Sequence, residues 1–197
     1  MKKVIMVLFL VTVIFGLAAC GGTAEYQDSP TQTTVNEQND VENVAAEVRS
    51  FPFAFTTTNV DNTEVTHEDL GEKEIFFIYL WATNCRLCIE TMPVLAELEE
   101  IHGDSVGFLG ILTESDFNRS QQDAARIVEE SGVQFINISA STPGLETVME
   151  LLLSGFAGIP SSIILDGNGR VVGQRAVGSP QQGYAGFIEE ALYAVRR

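Results

Sequence analysis

The chain has 197 residues and a formal net charge of −16, from 11 lysines and arginines against 27 aspartates and glutamates. So acidic a surface repels a phosphate backbone, which excludes nucleic acid as an expected partner. An apolar fraction of 45% supports a buried core, and the length between the terminal segments suits about one ordinary domain.

Lys2 and Lys3 precede Val4 to Ala19, sixteen residues without a charge. That run is short for a membrane span, which needs about 20 residues, and it matches the basic and apolar regions of an export signal. Leu17-Ala18-Ala19-Cys20-Gly21 resembles a bacterial lipoprotein cleavage site. The resemblance implies removal of residues 1–19 and a diacylglyceryl thioether on Cys20, hence a protein anchored by lipid to a bacterial cell membrane and facing away from the cytoplasm. A two-chain anchor holds stably. Anionic lipid would repel the acidic body, so the lipid alone must hold it there. Residues 20–50 then form a tether. Gly21 to Ser50 carries six acids, Arg49 as its one base and few apolar residues, so disorder is expected, with an end-to-end distance of about 30 Å. A short helix over Val41–Val48 is a lesser expectation.

The domain is expected over residues 51–197. Residues 53–58 alternate and read as a strand. Asp61-Asn62-Thr63 reads as a turn, and Val65 resumes the strand, so a hairpin is predicted. Residues 66–70 read as a capped helical turn ending at Gly71. The apolar run 75–80 reads as a buried strand. A helix follows over 89–102, kinked at Pro93, with Val94, Leu95, Leu98 and Ile101 facing inward and Glu97, Glu99 and Glu100 facing water. Residues 106–112 read as an interior strand, 121–131 as a helix closed by Gly132, 133–138 as a third central strand and 145–153 as a helix. Residues 161–165 and 171–175 read as a hairpin around Asp166-Gly167-Asn168-Gly169, and 181–195 as a closing helix. Leu151–Leu153 with Phe156 read as core. The order gives a three-layer α/β domain with a mixed sheet.

Between strand 75–80 and the helix lies Trp81-Ala82-Thr83-Asn84-Cys85-Arg86-Leu87-Cys88. Two cysteines separated by two residues at a strand-to-helix junction are a redox signature. A helix N-terminus presents unpaired N–H groups and the positive end of a dipole, and both favour the reactive thiolate. Arg86 is expected to act in the same sense. Structural zinc takes about four ligands, and beyond the pair only His67 and His102 remain, in unrelated elements, so no metal is expected. His102 reads as a helix-end cation and His67 as an exposed turn residue. No cofactor is needed beyond a reversible Cys85–Cys88 disulfide.

The order strand, Trp-x-x-x-Cys-x-x-Cys, helix with proline, then Gly158-Ile159-Pro160 before a hairpin resembles the thioredoxin fold. More narrowly, with the N-terminal hairpin and Trp81-Ala82-Thr83, it resembles the TlpA/ResA-type envelope thiol–disulfide oxidoreductases over residues 53–195. The resemblance implies Cys85 as attacking and Cys88 as resolving thiol. It implies a cis-Pro160 opposite them, Ile159 pairing with an extended substrate segment, and Trp81 packed beside the disulfide. Its partners would be thiols and disulfides of envelope proteins and a membrane electron donor, with cytochrome c maturation as one destination and a monomer as the working form. The pattern is broken where relatives place a carboxylate. Thr91 stands three residues after Cys88, and Tyr79 stands two before Trp81. Glu90, Thr91 and Tyr79 are therefore the candidates for a proton relay. Two alternatives stay open: a partner-binding lipoprotein without turnover, which would not reduce insulin, and a thiol peroxidase, whose Pro-x-x-x-Thr-x-x-Cys pattern is absent.

Overall fold

The computed structural model describes residues 47–114, 117–154, 158–180 and 182–197. The export signal, Cys20, residues 21–46 of the tether and Phe156 lie outside the described residues. Among the described residues no helix is long and apolar enough to cross a membrane.

The chain forms β1 (Thr56–Thr58), β2 (Glu64–Thr66), a 3-10 turn (His67–Leu70), β3 (Ile75–Trp81), α1 (Arg86–His102), β4 (Val106–Leu112), α2 (Phe117–Ser131), β5 (Ile136–Ser139), α3 (Glu146–Leu153), β6 (Ser161–Asp166), β7 (Ala176–Val177) and α4 (Gly183–Val195). The main sheet has the order β5-β4-β3-β6-β7. β3, β4 and β5 run parallel, β6 is antiparallel to β3, and β7 is antiparallel to β6. β1 and β2 make a separate hairpin.

β3 is central because every residue from Ile75 to Trp81 is wholly buried. Side chains alternate across a strand. Ile75, Phe77, Tyr79 and Trp81 enter one core with Met92 and Leu95 of α1, Ala124 and Ile127 of α2, and Phe187 and Ile188 of α4. Phe76, Ile78 and Leu80 enter the other with Val148 and Leu152 of α3 and with Phe51, Phe55 and Val65 from the N-terminal extension. Helices on both faces make this a mixed, three-layer α/β fold. Described pairing begins at Arg49, whose N–H and carbonyl exchange bonds with Lys73 (2.9 Å each).

The hairpin tip is tied to β5. Val60 N–H donates to the Asn137 carbonyl (3.0 Å), and Asn137 N–H donates to Asn59 Oδ1 (2.9 Å). These bonds take up backbone groups on an edge strand. Asn62 turns the tip at φ 71°, a left-handed conformation asparagine tolerates.

Thr66 caps the 3-10 turn reciprocally. Its hydroxyl accepts from Glu68 N–H (3.2 Å), and Asp69 accepts from Thr66 N–H (2.7 Å). Thr66→Ala is expected to cost about 1 kcal/mol, read from urea unfolding; an unchanged midpoint would show the cap contributes nothing.

Several elements differ from the sequence-based expectation. α1 starts at Arg86 and runs unbroken through Pro93. Its inward face is Cys88, Thr91, Met92, Leu95 and Leu98. Val94 is 45% and Ile101 69% exposed. Burial of Cys88 sets the helical phase, and positions 94 and 101 fall opposite it. Glu99 turns partly inward instead, accepting from Gln134 N–H (3.1 Å), and burial holds its carboxyl above the usual range. β5 is an edge rather than a central strand. Beyond the Asp166 turn the return strand makes only an isolated bridge, Leu165 to Val171, and pairs as β7 at 176–177. Gly173 interrupts it at φ 74°. His67 is not a free turn residue; its ring lies edge-on to Phe55 with centroids 6.2 Å apart.

Candidate active site

β3 and β4 run in parallel register with Trp81 opposite Leu112, so their carboxyl ends emerge together. Trp81 ends β3, Ala82 to Asn84 turn the chain, and Cys85 is the N-cap of α1. Cys85 and Cys88 are joined by a disulfide of 2.06 Å, with Cα atoms 5.2 Å apart. The two sulfurs differ in access. Cys85 is half-buried, whereas Cys88 is wholly enclosed. Cys88 N–H donates to Cys85 Sγ (3.2 Å). In the reduced state the same N–H and the helix dipole would stabilise a Cys85 thiolate. Arg86 is highly exposed and its guanidinium pairs with Glu90 at 2.7 Å, which spends much of the positive charge expected to act on the cysteines.

The residues considered for proton relay occupy three different settings. Glu90 sits on the outer face of α1 in that ion pair. Thr91 is buried and its hydroxyl donates to the Leu87 carbonyl (2.8 Å) within the helix. Tyr79 is buried beneath α1 and donates to the Cys88 carbonyl (3.1 Å). Burial, with Tyr184 alongside, pushes the Tyr79 phenol far above its ordinary range, so it stays neutral and acts as a donor.

Trp81 is wholly buried in the core that contains Cys88. Its indole N–H donates to Asn137 Oδ1 (3.0 Å), and the Asn137 amide donates to the Phe135 carbonyl (2.9 Å). Sequence reasoning missed Asn137. The available signal was an asparagine in the inward phase of Val133, Phe135 and Asn137, where a polar side chain needs a partner. It also missed the end of β4. Thr113 N–H (3.0 Å) and hydroxyl (3.2 Å) both donate to the Trp81 carbonyl, and Thr83 N–H donates to Glu114 Oε1. Parallel strands that end side by side were the usable hint.

The Ile159–Pro160 bond is cis. Antiparallel register sets Leu80 opposite Ser161, which brings Pro160 to the end of β3 where the motif begins. Ser161 donates from its hydroxyl to the Gly158 carbonyl (2.7 Å), and the Pro160 carbonyl accepts from Gly178 N–H (2.7 Å). Ile159 is partly exposed beside both cores. The structure therefore gathers Trp81, Cys85, Cys88 and Pro160 at one end of the sheet. Among the described residues no group of three or more His, Cys, Asp or Glu side chains is placed to hold a metal ion.

No protein-family model and no curated protein matches this chain. Solved structures do, and what they define is the fold: a thioredoxin fold preceded by a β-hairpin. The thiol:disulfide interchange protein of the thioredoxin family from Chlorobium tepidum TLS superposes with a TM-score of 0.58 at 20% identity, covering 77% of this chain and 99% of that one. A putative protein disulfide isomerase from Bacteroides thetaiotaomicron gives 0.55 at 18%, covering 77% and 92%. StoA from Bacillus subtilis gives 0.51 at 17%, covering 72% and 98%.

Proposed function

We propose that this chain is a thiol–disulfide oxidoreductase that reduces disulfides of bacterial envelope proteins from a lipid anchor at Cys20. The observation that carries the reading is the Cys85–Cys88 disulfide at the N-terminus of α1, with one accessible and one enclosed sulfur beside cis-Pro160. The thioredoxin-fold neighbours described as interchange proteins support it. The export signal and the Cys20 site support the location, and cytochrome c maturation is one destination for such a reductase.

In the reduced protein, the Cys85 thiolate attacks one sulfur of a partner disulfide. A mixed disulfide forms and the partner's other sulfur leaves as a thiolate. Cys88, once deprotonated, attacks Cys85 Sγ. The Cys85–Cys88 bond forms, the mixed disulfide breaks, and the second partner thiolate departs with the electron pair. Two electrons pass to the partner, and a membrane dithiol donor must return them. No carboxylate occupies position 79 or 91 beneath Cys88, so deprotonation of the resolving thiol falls to water or to the departing thiolate.

Insulin reduction with a dithiol donor tests the reading. Turnover by the full chain together with a potential near that of thioredoxin, about −270 mV, supports the reductase direction. A potential near about −120 mV, the range of strong oxidants, would reverse the direction. Absence of exchange altogether would leave a partner-binding module, and peroxide consumption would point to a peroxidase instead.

A further inference from the structure

The site has a carboxylate, but it comes from the loop just past the end of β4. Glu114 Oε1 accepts the Thr83 N–H, two residues before Cys85. Its other oxygen, Oε2, is buried with no hydrogen-bond partner among the described residues. A carboxylate oxygen shielded from solvent and left without a donor is costly, so a purely structural cap would be better served by a neutral side chain. Consecutive Cα atoms are 3.8 Å apart, so a group bonded to Thr83 N–H lies within about 12 Å of the Cys85 Cα. That is little more than one Debye length, and a partly buried charge is screened less than a fully exposed one.

We propose that Glu114 is a positioning residue that holds the Thr83–Cys85 turn and, through its charge, restrains ionisation of Cys85. This rests on the redox reading of the cysteine pair given above. Among the described residues Arg119, in the first turn of α2, is the next charge along the chain from Glu114. Along residues 81–90 only Arg86 and Glu90 are charged, and they pair with each other. Residues 158–164 and 176–180 carry no charged side chain. A negative group near a thiol disfavours the thiolate. Less stabilisation of the thiolate means less stabilisation of the dithiol state, which makes the pair a stronger reductant. Glu114 thus supplies an electrostatic bias toward disulfide reduction that neither Tyr79 nor Thr91 can provide.

The test compares the full wild-type chain with Glu114→Gln and Glu114→Ala. Glutamine keeps an acceptor for Thr83 N–H and removes the charge. Thiolate absorbance against pH gives the Cys85 pKa, and equilibration with glutathione gives the redox equilibrium. Glu114→Gln is expected to lower the Cys85 pKa and to shift the equilibrium about tenfold toward the dithiol, about 30 mV for this couple, with thermal stability retained. Glu114→Ala is expected to shift the equilibrium in the same direction and to unfold at lower temperature. If glutamine proves too disruptive to fold, the alanine variant is read the same way. A folded variant with wild-type pKa and equilibrium overturns the proposal while leaving the redox reading intact. Loss of insulin reduction by the wild type would instead remove the redox reading beneath it.

Discussion

Cys85→Ser is expected to lower insulin reduction on the order of 10³-fold or more, while Cys88→Ala should turn the protein into a trap that accumulates mixed disulfide with its partner. The asymmetry follows from access. Cys85 is the sulfur a partner can reach, and Cys88 is enclosed. Without Cys85 nothing begins the exchange. Without Cys88 exchange begins and cannot resolve. Stability separates this outcome from simple damage. Either variant loses the same short cross-link, worth about 2 kcal/mol in the chain-entropy model for so small a loop. A stability effect alone would therefore impair both alike and trap nothing. Mass spectrometry of the Cys88→Ala adduct reads the result. A Cys85→Ser variant that still reduces insulin would remove Cys85 from the reaction.

Gly110→Ala is expected to destabilise the fold by about 2–5 kcal/mol, combining overpacking with a buried indole N–H left unpaired. A Cβ at Gly110 would lie 1.8 Å from Asn137 Oδ1 and 3.3 Å from the Phe135 ring. Asn137 has little room to move away. Its amide bridges Trp81 and Phe135, and its backbone is held by Asn59 and Val60. Displacing it breaks the Trp81 hydrogen bond at the start of the cysteine motif. Trp81 is the chain's one tryptophan, so its emission reports the change directly. Adding Asn137→Ala should relieve the clash, so the double variant should lose less than the sum of the two single ones. Gly110→Ala within 0.5 kcal/mol of wild type by urea unfolding (roughly the surface-substitution range) would contradict the packing described.

Local sequence made the elements around the motif legible, because buried parallel strands are uninterrupted apolar runs and the cysteine spacing is distinctive. Phe76 to Leu80 and Val106 to Leu112 could be read for that reason. The phase of α1 could not be read from apolar identities. Val94 and Ile101 look like core residues, yet Cys88 fixes which face turns inward, and Thr91 is buried while they are not. Sheet order is equally non-local. Nothing within residues 133–139 says that β5 ends the sheet or that the hairpin tip will reach it. Asn137 and Glu114 were missed for the same reason: each matters through a partner 56 or 31 positions away in the chain.

The binding of Asn59 and Val60 to Asn137 has a consequence for self-association. Two copies of an α/β protein can merge by laying one rim strand against another to make a continuous ribbon. Here the β5 rim is already plugged by the molecule's own extension, and the opposite rim offers just the two residues of β7. Removing residues 51–66 would unplug the first rim and open its backbone groups to a second copy, on the strand whose Asn137 accepts the Trp81 indole N–H.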